Sequence, residues 1–177
     1  RWNGFNVLHS AASRVAGLDI GFLPGKAGKS AKRMLSDASK SKMGMIWLLG
    51  ADEIDTQALG DSFVIYQGHH GDAGAHRADA IFPGAAYTEK NATYVNTEGR
   101  VQRAALAAFP VGQAKEDWAI IRALSDTMGK RLPYDSLMEL RQRMAEINPL
   151  LASLDETSIA PWGNTEDAGT TRDTAFE

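Results

Sequence analysis

The sequence contains no cysteine in its 177 residues. This absence excludes disulfides, thiolate zinc sites and cysteine-ligated iron–sulfur clusters within the chain. Long apolar runs are absent too: the longest strongly apolar stretch, residues 45–49, is far shorter than the ~20 residues of a membrane-spanning helix. We therefore expect no direct insertion into a membrane.

The chain also lacks an excess of charge of one sign. It carries 19 basic and 22 acidic residues, a net charge of -3, which disfavours a nucleic-acid-binding protein. Acidic residues are concentrated in the last part of the chain, which has few large apolar side chains. We therefore expect one folded domain over residues 1–150 and a flexible or peripheral acidic tail over residues 151–177.

Three short apolar runs, each ended by glycine or proline, occupy residues 45–49, 63–66 and 80–82. Such runs predict strands that are buried on both faces of a parallel sheet. The segments between them are long enough for short crossover helices, so the predicted fold class is α/β, with a parallel sheet and flanking helices. Ligands of such sheets bind at the carboxyl ends of the strands.

A small β-hairpin and further helices are also predicted. Residues 93–96 and 100–102 flank a turn in which we expect Gly99 to have a positive φ. Helical periodicity predicts an N-terminal helix whose apolar face includes Phe5 and Val15.

Two C-terminal helices are predicted after the hairpin. The first covers residues 115–128, buries a face that includes Met128 and stops at Gly129. The second is capped by Asp135 and has Ile147 on its buried face.

Three histidines and two aspartates form the cluster most suggestive of a metal site: His69, His70, His76, Asp72 and Asp79. Imidazole and carboxylate groups are ligands of zinc and iron. However, neighbouring histidines at a strand end point apart. We therefore expect no metal here, but either a loop with structural hydrogen bonds or a loop at a subunit contact.

Two hydrogen-bonding arrangements are expected around these loops. The polar groups of His69, His70 and Asp72 should bond the neighbouring loops near Asp52 and Pro83, because unpaired buried polar groups are unfavourable.

A second arrangement involves Glu89, Glu98 and Arg100. These residues would suit an acid/base pair with an anion-holding arginine. An ion pair that fixes the hairpin is the expectation we favour, with Glu98 and Arg100 bracing the turn at Gly99.

A family resemblance is carried by three strings: Tyr-Gln-Gly-His-His-Gly-Asp at 66–72, Ala-Asp-Ala-Ile-Phe-Pro-Gly-Ala-Ala-Tyr-Thr-Glu at 78–89, and Ala-Thr-Tyr-Val-Asn-Thr-Glu-Gly-Arg-Val-Gln at 92–102. The last two resemble the signature of molybdopterin oxidoreductases. Together, and with 114–125 and 132–135, they resemble the large iron–sulfur subunit of respiratory NADH:quinone oxidoreductase, complex I. The resemblance extends from about residue 2 to residue 150.

The resemblance implies that this chain is a segment of the molybdopterin oxidoreductase-like part of that subunit. It also implies that this part has lost its cofactor. The 2Fe-2S and 4Fe-4S clusters would then lie elsewhere in the parent subunit, and this chain would hold no cofactor. It would be a non-catalytic scaffold in the peripheral arm, contacting other complex I subunits at the cytoplasmic or matrix face of the membrane. It would belong to a proton-translocating enzyme but be inactive alone.

Six residues match the signature positions where cofactor-binding loops run in the family. The resemblance implies that they are vestigial and structural, and no catalytic residue is expected. They are Asp79, Glu89, Thr93, Asn96, Glu98 and Arg100. Two alternatives remain open: a fragment of an active molybdopterin-dependent oxidoreductase that binds a pterin–guanine nucleotide, and a free-standing nucleotide- or metal-binding module.

Overall fold

The computed structural model describes residues 8–9, 11 and 14–157. The predicted N-terminal helix is seen only as α1, Arg14–Asp19, and the prediction is wrong at residues 8, 9 and 11, which lie outside any helix, with Leu8 85% exposed. The rest of the predicted span lies outside the described residues. A second helix, α2, spans Ala31–Ala38. It is capped by Ser30, whose side chain accepts a hydrogen bond from the amide of Arg33. None of the described helices is long and apolar enough to cross a bilayer.

The predicted parallel sheet is confirmed. Strands β1 (Met45–Leu49), β2 (Phe63–Gly68) and β3 (Ala80–Pro83) pair in the order β1-β2-β3, with every pairing parallel. The first crossover contains a short 3-10 helix, Thr56–Leu59, and the second contains helix α3, Ala73–Arg77.

One face of this sheet carries the first hydrophobic core. Both crossovers and α2 pack on this face, around Leu48, Leu59, Val64 and Tyr66. On the other face Met45, Leu49 and Phe63 remain 54%, 50% and 49% exposed. The expectation of burial on both faces therefore holds only in part on this second face, where Gln67 is fully buried, because two successive crossovers of the same hand place their helices on the same side.

The predicted hairpin and C-terminal helices form a second layer. Strand β4 (Ala92–Val95) pairs antiparallel with β5 (Val101–Ala104). They are followed by the elements α4 (Asp117–Thr127), α5 (Leu137–Ile147) and a 3-10 helix, Pro149–Ala152.

A second, smaller core joins this layer together. It contains Val95, Val101 and Leu151, which are at most 3% exposed, and residues of α1 and α5 pack against it. Beyond Leu151, Asp155 binds the hairpin twice. Its backbone amide donates to the carbonyl of Val101 at 2.9 Å, and the Asp155 carboxylate accepts from the amide of Arg103 at 2.7 Å. Residues 151–155 of the predicted tail thus pack on the hairpin, and residues 158–177 lie outside the described residues.

The hairpin turn confirms one expectation and corrects another. Gly99 has a φ of +83°, as predicted. The brace comes from Asn96, whose Oδ1 accepts hydrogen bonds from the amides of Glu98 at 3.0 Å and Arg100 at 2.9 Å. The predicted side-chain brace by Glu98 and Arg100 is wrong: both residues are exposed, and no ion pair joins them in the described structure. A short asparagine side chain reaches the turn amides without the entropic cost of ordering two long ones.

The buried faces of the last two helices differ from the predicted ones at their ends. Met128, the residue that follows α4, and Ile147, the last residue of α5, are 69% and 51% exposed. The buried face of α4 is instead partly polar, with Arg122 and Ser125 only 6% and 8% exposed.

The N-terminus of α5 is capped by Ser136 and not by Asp135 as predicted. The Ser136 hydroxyl accepts from the amide of Glu139, whose carboxylate accepts from the amide of Ser136 in return. Asp135 is engaged elsewhere, since its carboxylate binds both Arg122 and Arg131 at 2.6 Å.

Arg122 is the centre of an ionic network between α4 and the segment before α5. It pairs with Asp126 at 2.7 Å and donates to the carbonyl of Tyr134 at 2.8 Å, in addition to Asp135. Hydrogen bonds from Arg131 and Arg122 lower the pKa of Asp135 below its ordinary value. The ionised carboxylate therefore favours the folded state.

Replacement of Gly99 by alanine should lower the free energy of unfolding by ~1 kcal/mol or more, since a positive φ is unfavourable for a residue with a Cβ. Chemical denaturation measures this difference. Gly71→Ala is a matched control, because Gly71 is exposed, has no positive φ and leaves open space around a Cβ. Equal stability of the two variants would contradict the role of the turn.

The Asp135 network predicts a loss of stability in acid. The pKa of Asp135 is lower in the folded state than in the unfolded state. Its contribution to the free energy of unfolding is therefore complete above about pH 4, the unfolded-state pKa, and decreases as the pH falls toward the folded-state pKa. Asp135→Asn should therefore flatten the acid side of a plot of melting temperature against pH. Glu53→Gln, at an exposed position, should keep the wild-type slope. An unchanged slope in Asp135→Asn would show that the network has no such effect.

Candidate functional site: a cleft at the carboxyl edge of the sheet

A cleft of about 590 Å³ lies where the carboxyl ends of the sheet strands meet the second layer. Its walls come from α1, the ends of β1 and β2, the segment after β3, strand β4 and helix α5. This is the edge at which ligands of parallel α/β sheets bind. It is therefore the candidate functional site.

Three polar side chains that line the cleft form a connected bridge. Nε2 of Gln67, at the end of β2, donates to Oδ1 of Asp117 at 2.9 Å. The other carboxylate oxygen of Asp117 pairs with the ammonium group of Lys90, which follows the 3-10 helix Tyr87–Glu89. We call these three residues the Asp117 bridge. It connects the sheet to α4 and to the start of the hairpin.

The backbone places Asp117 against the sheet edge. Lys115 pairs with the segment after β3: its amide donates to the carbonyl of Pro83 at 3.1 Å, and its carbonyl accepts from the amide of Ala85 at 2.8 Å. Asp117 thus occupies the first turn of α4, where the helix dipole favours a carboxylate. Gly84 permits this close approach, since a Cβ there would lie 3.1 Å from Oδ1 of Asp117.

The buried amide of Gln67 is only half satisfied by the described residues. Gln67 is fully buried, and its Oε1 has no hydrogen-bond partner there. Nε2 lies within hydrogen-bond distance of two acceptors on Asp117, Oδ1 at 2.9 Å and the backbone carbonyl at 3.3 Å. The amide oxygen is therefore a buried acceptor without a partner among the described residues.

Of the six vestigial candidates, Thr93 lines the cleft. Its hydroxyl accepts a hydrogen bond from Nε of Arg141 on α5 at 3.1 Å. Asp79 lies at the opposite edge of the sheet, where its carboxylate accepts from the amide of Val64 at 2.7 Å and pairs with Arg77 at 3.5 Å.

The remaining four candidates do not line the cleft. Glu89 accepts from the amide of Ala86 at 3.1 Å and thereby caps its own short helix. Asn96 holds the hairpin turn, and Glu98 and Arg100 are exposed beside it. The family signature thus places one of its six positions, Thr93, at the cleft and the other five elsewhere in the fold.

The histidine cluster is divided between two places. His69 and His70 follow β2 with their rings 4.4 Å apart, and His69 lines the cleft. His76 lies in the last turn of α3. No three His, Asp or Glu side chains of the described residues are arranged to hold a metal ion.

The predicted hydrogen bonds from His69, His70 and Asp72 to the loops near Asp52 and Pro83 are not found among the described residues. All three residues are exposed, so water can satisfy their polar groups and no protein partner is required.

Tyr66 fixes the strand end behind this histidine pair. The buried ring lies between two glycines: a Cβ at Gly68 would collide with the phenol, and one at Gly74 would lie 3.0 Å from the ring. Burial raises the pKa of the Tyr66 phenol, and the nearby carboxylates of Asp52 and Asp72 raise it further. The phenol therefore stays protonated and serves as a structural element of the strand end.

Sequence reasoning missed all three members of the Asp117 bridge. A glutamine within an otherwise apolar buried strand is an observable signal, because a buried polar side chain needs a partner. Asp117 and Lys90 had no comparable signal, since they lie 50 and 23 residues from Gln67 in the chain and meet it only through the pairing of residues 83–85 with Lys115.

Comparison with known sequences decides the family. The family model for molybdopterin oxidoreductases matches residues 1–127. The chain belongs to the molybdopterin oxidoreductase family. This membership agrees with the parallel sheet and its carboxyl-edge cleft.

Similar curated proteins are subunits of mitochondrial NADH-ubiquinone oxidoreductase, which confirms the narrower resemblance. The chain is 53% identical over 155 residues to the 78 kDa subunit of Candida albicans. It is 51% identical over 156 residues to the 75 kDa subunit of Reclinomonas americana, and 44% identical over 160 residues to iron-sulfur protein 1 of the Solanum tuberosum enzyme. These matches cover 87%, 87% and 90% of the chain, but only 20%, 22% and 20% of the relatives. The chain thus spans about a fifth of their length.

A solved structure shows the same fold. Acetylene hydratase from Pelobacter acetylenicus superposes with a TM-score of 0.56, over 78% of this chain and 22% of that protein. The sequence identity is 18%, so the likeness concerns the fold alone. The predicted α/β class is confirmed by the sheet, the hairpin and this fold neighbour.

The cleft does not fit the pterin–guanine dinucleotide of the family. A dinucleotide carries phosphates, which proteins bind with cations or with the amides of a helix N-terminus. Among the described lining residues Lys90 is the one Lys or Arg, and Asp117 pairs with it. The first turn of α4 already carries the carboxylate of Asp117, which bonds Gln67 and Lys90. A phosphate would meet this carboxylate and be repelled.

Asp117→Ala should lower the free energy of unfolding by ~1–3 kcal/mol, because it leaves the buried Gln67 amide and the half-buried Lys90 ammonium without their carboxylate partner. Denaturant titration measures the change. Glu146→Ala removes an exposed ion pair with Arg143 and should cost ~1 kcal/mol or less. A loss for Asp117→Ala no larger than that of the control would contradict the bridge.

Proposed function

We propose that this chain is a non-catalytic scaffold segment of the large iron–sulfur subunit of NADH:quinone oxidoreductase. The observation that carries the proposal is the Asp117 bridge, which fills the carboxyl edge of the sheet with the chain's own side chains. An edge where the family's cofactor would bind is used here to hold the sheet, α4 and the hairpin together.

The electron-transfer chemistry of the parent subunit is assigned to regions outside this chain. Iron–sulfur clusters need cysteine ligands, or histidine together with cysteine, and this chain has no cysteine. The 2Fe-2S and 4Fe-4S clusters of the parent would lie in another part of its length. The isolated chain would therefore be inactive, while the complete complex is a proton-translocating oxidoreductase.

The scaffold function implies protein partners within the peripheral arm of that complex. Seventeen large apolar side chains of the described residues are at least 39% exposed, and three of them, Met45, Leu49 and Phe63, lie on the same face of the sheet. Extended apolar surface of this kind is typical of protein contacts. The partners would be the rest of the subunit and neighbouring subunits, at the matrix or cytoplasmic face of the membrane and without direct insertion.

Asp117→Ala, placed in the intact subunit, separates the scaffold function from an electron-transfer function. The scaffold proposal expects a lower yield of assembled complex, because the segment is less stable, and an unchanged turnover of NADH per assembled complex. Native gel quantification and NADH oxidation assays measure the two quantities. Glu146→Ala should leave both unchanged. A normal yield with reduced turnover per complex would contradict the proposal.

A further inference from the structure

Basic side chains are concentrated around helix α2. Residues 26–42 carry six basic side chains and one acidic one, Asp37. Asp37 is only 3% exposed, and Lys29 and Arg33 bind it at 2.7 Å and 3.3 Å. The hydrogen bond from Lys29 lowers the pKa of Asp37, and the charges of Arg33 and Lys42 lower it further. Basic residues from both ends of α2 therefore lie close to one buried carboxylate.

Four basic residues of this segment form an exposed positive surface. They are Lys26, Lys32, Lys40 and Lys42, which we call the lysine surface. None of them forms an ion pair with another described residue. The carboxylate of Asp61 approaches this surface through Ser41, whose hydroxyl donates to it at 3.2 Å, but its one charge is smaller than that of four lysines. The surface therefore keeps a positive charge that attracts acidic groups.

An acidic segment that suits this surface is present in the same chain. Residues 158–177, which we call the distal tail, lie outside the described residues and carry four acidic side chains and one basic one, Arg172. The acidic residues are Glu166, Asp167, Asp173 and Glu177. The surface and the tail thus have opposite net charges, which favours their association.

The distal tail begins within reach of the lysine surface. The side-chain amide of Asn148 donates to the carbonyl of Asp19 at 3.1 Å, and Leu151 lines the same cleft as Phe22. Lys26 follows Phe22 by four residues, and the distal tail begins seven residues after Leu151. Its twenty residues span up to ~65 Å when extended, at ~3.3 Å per residue. This length is sufficient to cross the mouth of the cleft and contact α2.

We propose that the distal tail docks on the lysine surface of α2 through its acidic side chains. The tether keeps the tail at an effective concentration of ~1 mM, so even a millimolar affinity occupies the surface about half of the time. The docking goes beyond the scaffold function, since it involves a surface that neither the Asp117 bridge nor the cleft uses.

The absence of cysteine permits a test with one spin label on the 177-residue chain. A nitroxide on Thr174→Cys lies in the distal tail, and NMR measures the amide signals that it broadens. At an ionic strength of ~0.01 M, the signals of α2 should lose at least about half of their intensity relative to the chemically reduced label. At ~1 M the Debye length falls from ~30 Å to ~3 Å, and this loss should disappear. No broadening of α2 at low salt, or the same broadening at high salt, would overturn the proposal.

Charge-reversal variants locate the contact. Lys26→Glu combined with Lys32→Glu should restore the α2 signals at low salt, because the reversed charges repel the tail. Both positions are exposed and neither lysine pairs with a described carboxylate, so the fold should be retained. Arg100→Glu combined with Lys130→Glu changes the net charge equally at exposed positions elsewhere and should behave as the parent chain. Broadening that persists in the first pair, or disappears in the second, would contradict docking on the lysine surface.

A mixed sample identifies the chain that supplies the tail. A chain labelled with nitrogen-15 and lacking the nitroxide is mixed with an equal amount of spin-labelled chain at natural isotope abundance. The proposal expects no broadening of α2 in this sample, because each tail binds its own chain. Broadening as strong as in the singly labelled chain would assign the tail to a second copy and overturn the proposal.

Discussion

The carboxylate of Asp117 connects the edge of the parallel sheet to the start of the hairpin. One oxygen holds the amide of Gln67 at the sheet edge, and the other holds the ammonium of Lys90 at the start of the hairpin. The sheet with its crossovers and the hairpin layer otherwise have separate cores. A polar bridge between two such cores is sensitive to the loss of either partner, because the remaining buried group is left unpaired.

The bridge gives a physical basis for the proposal that this segment uses the family architecture without the family's cofactor. The carboxyl edge of a parallel sheet presents strand ends that converge on one cleft. Here the first turn of α4 inserts its own acid at that edge, and Gly84 leaves room for it. The site that would bind an anion carries an anion of the chain instead, and the surrounding wall is apolar.

Much of the fold could be predicted from the sequence where the signal is local. The three strands, the crossovers and the positive φ of Gly99 follow from short patterns read along the chain. The cap of α5 was predicted one residue early because Asp135 and Ser136 are both good caps. The choice between them depends on Arg122, a partner 13 residues away, which binds the carboxylate of Asp135.

The candidate site could be predicted only as a location. The carboxyl edge was correctly expected to hold polar residues, but the histidines there are exposed and the bridge is built from Gln67, Lys90 and Asp117. Their meeting depends on a backbone pairing between residues 83–85 and Lys115, which no periodicity reveals. Of the five signature positions away from the cleft, Asp79, Glu89 and Asn96 support a strand edge, a helix cap and a turn. The side chains of Glu98 and Arg100 are exposed.

The most direct test of this account is the molybdenum and guanine nucleotide content of the intact subunit that carries this segment. The subunit is purified from cells supplied with molybdate, and both are measured after acid release. The account predicts neither above background, since the Asp117 bridge occupies the edge where the dinucleotide would bind. Molybdenum and guanine nucleotide in amounts equimolar with the subunit would contradict it.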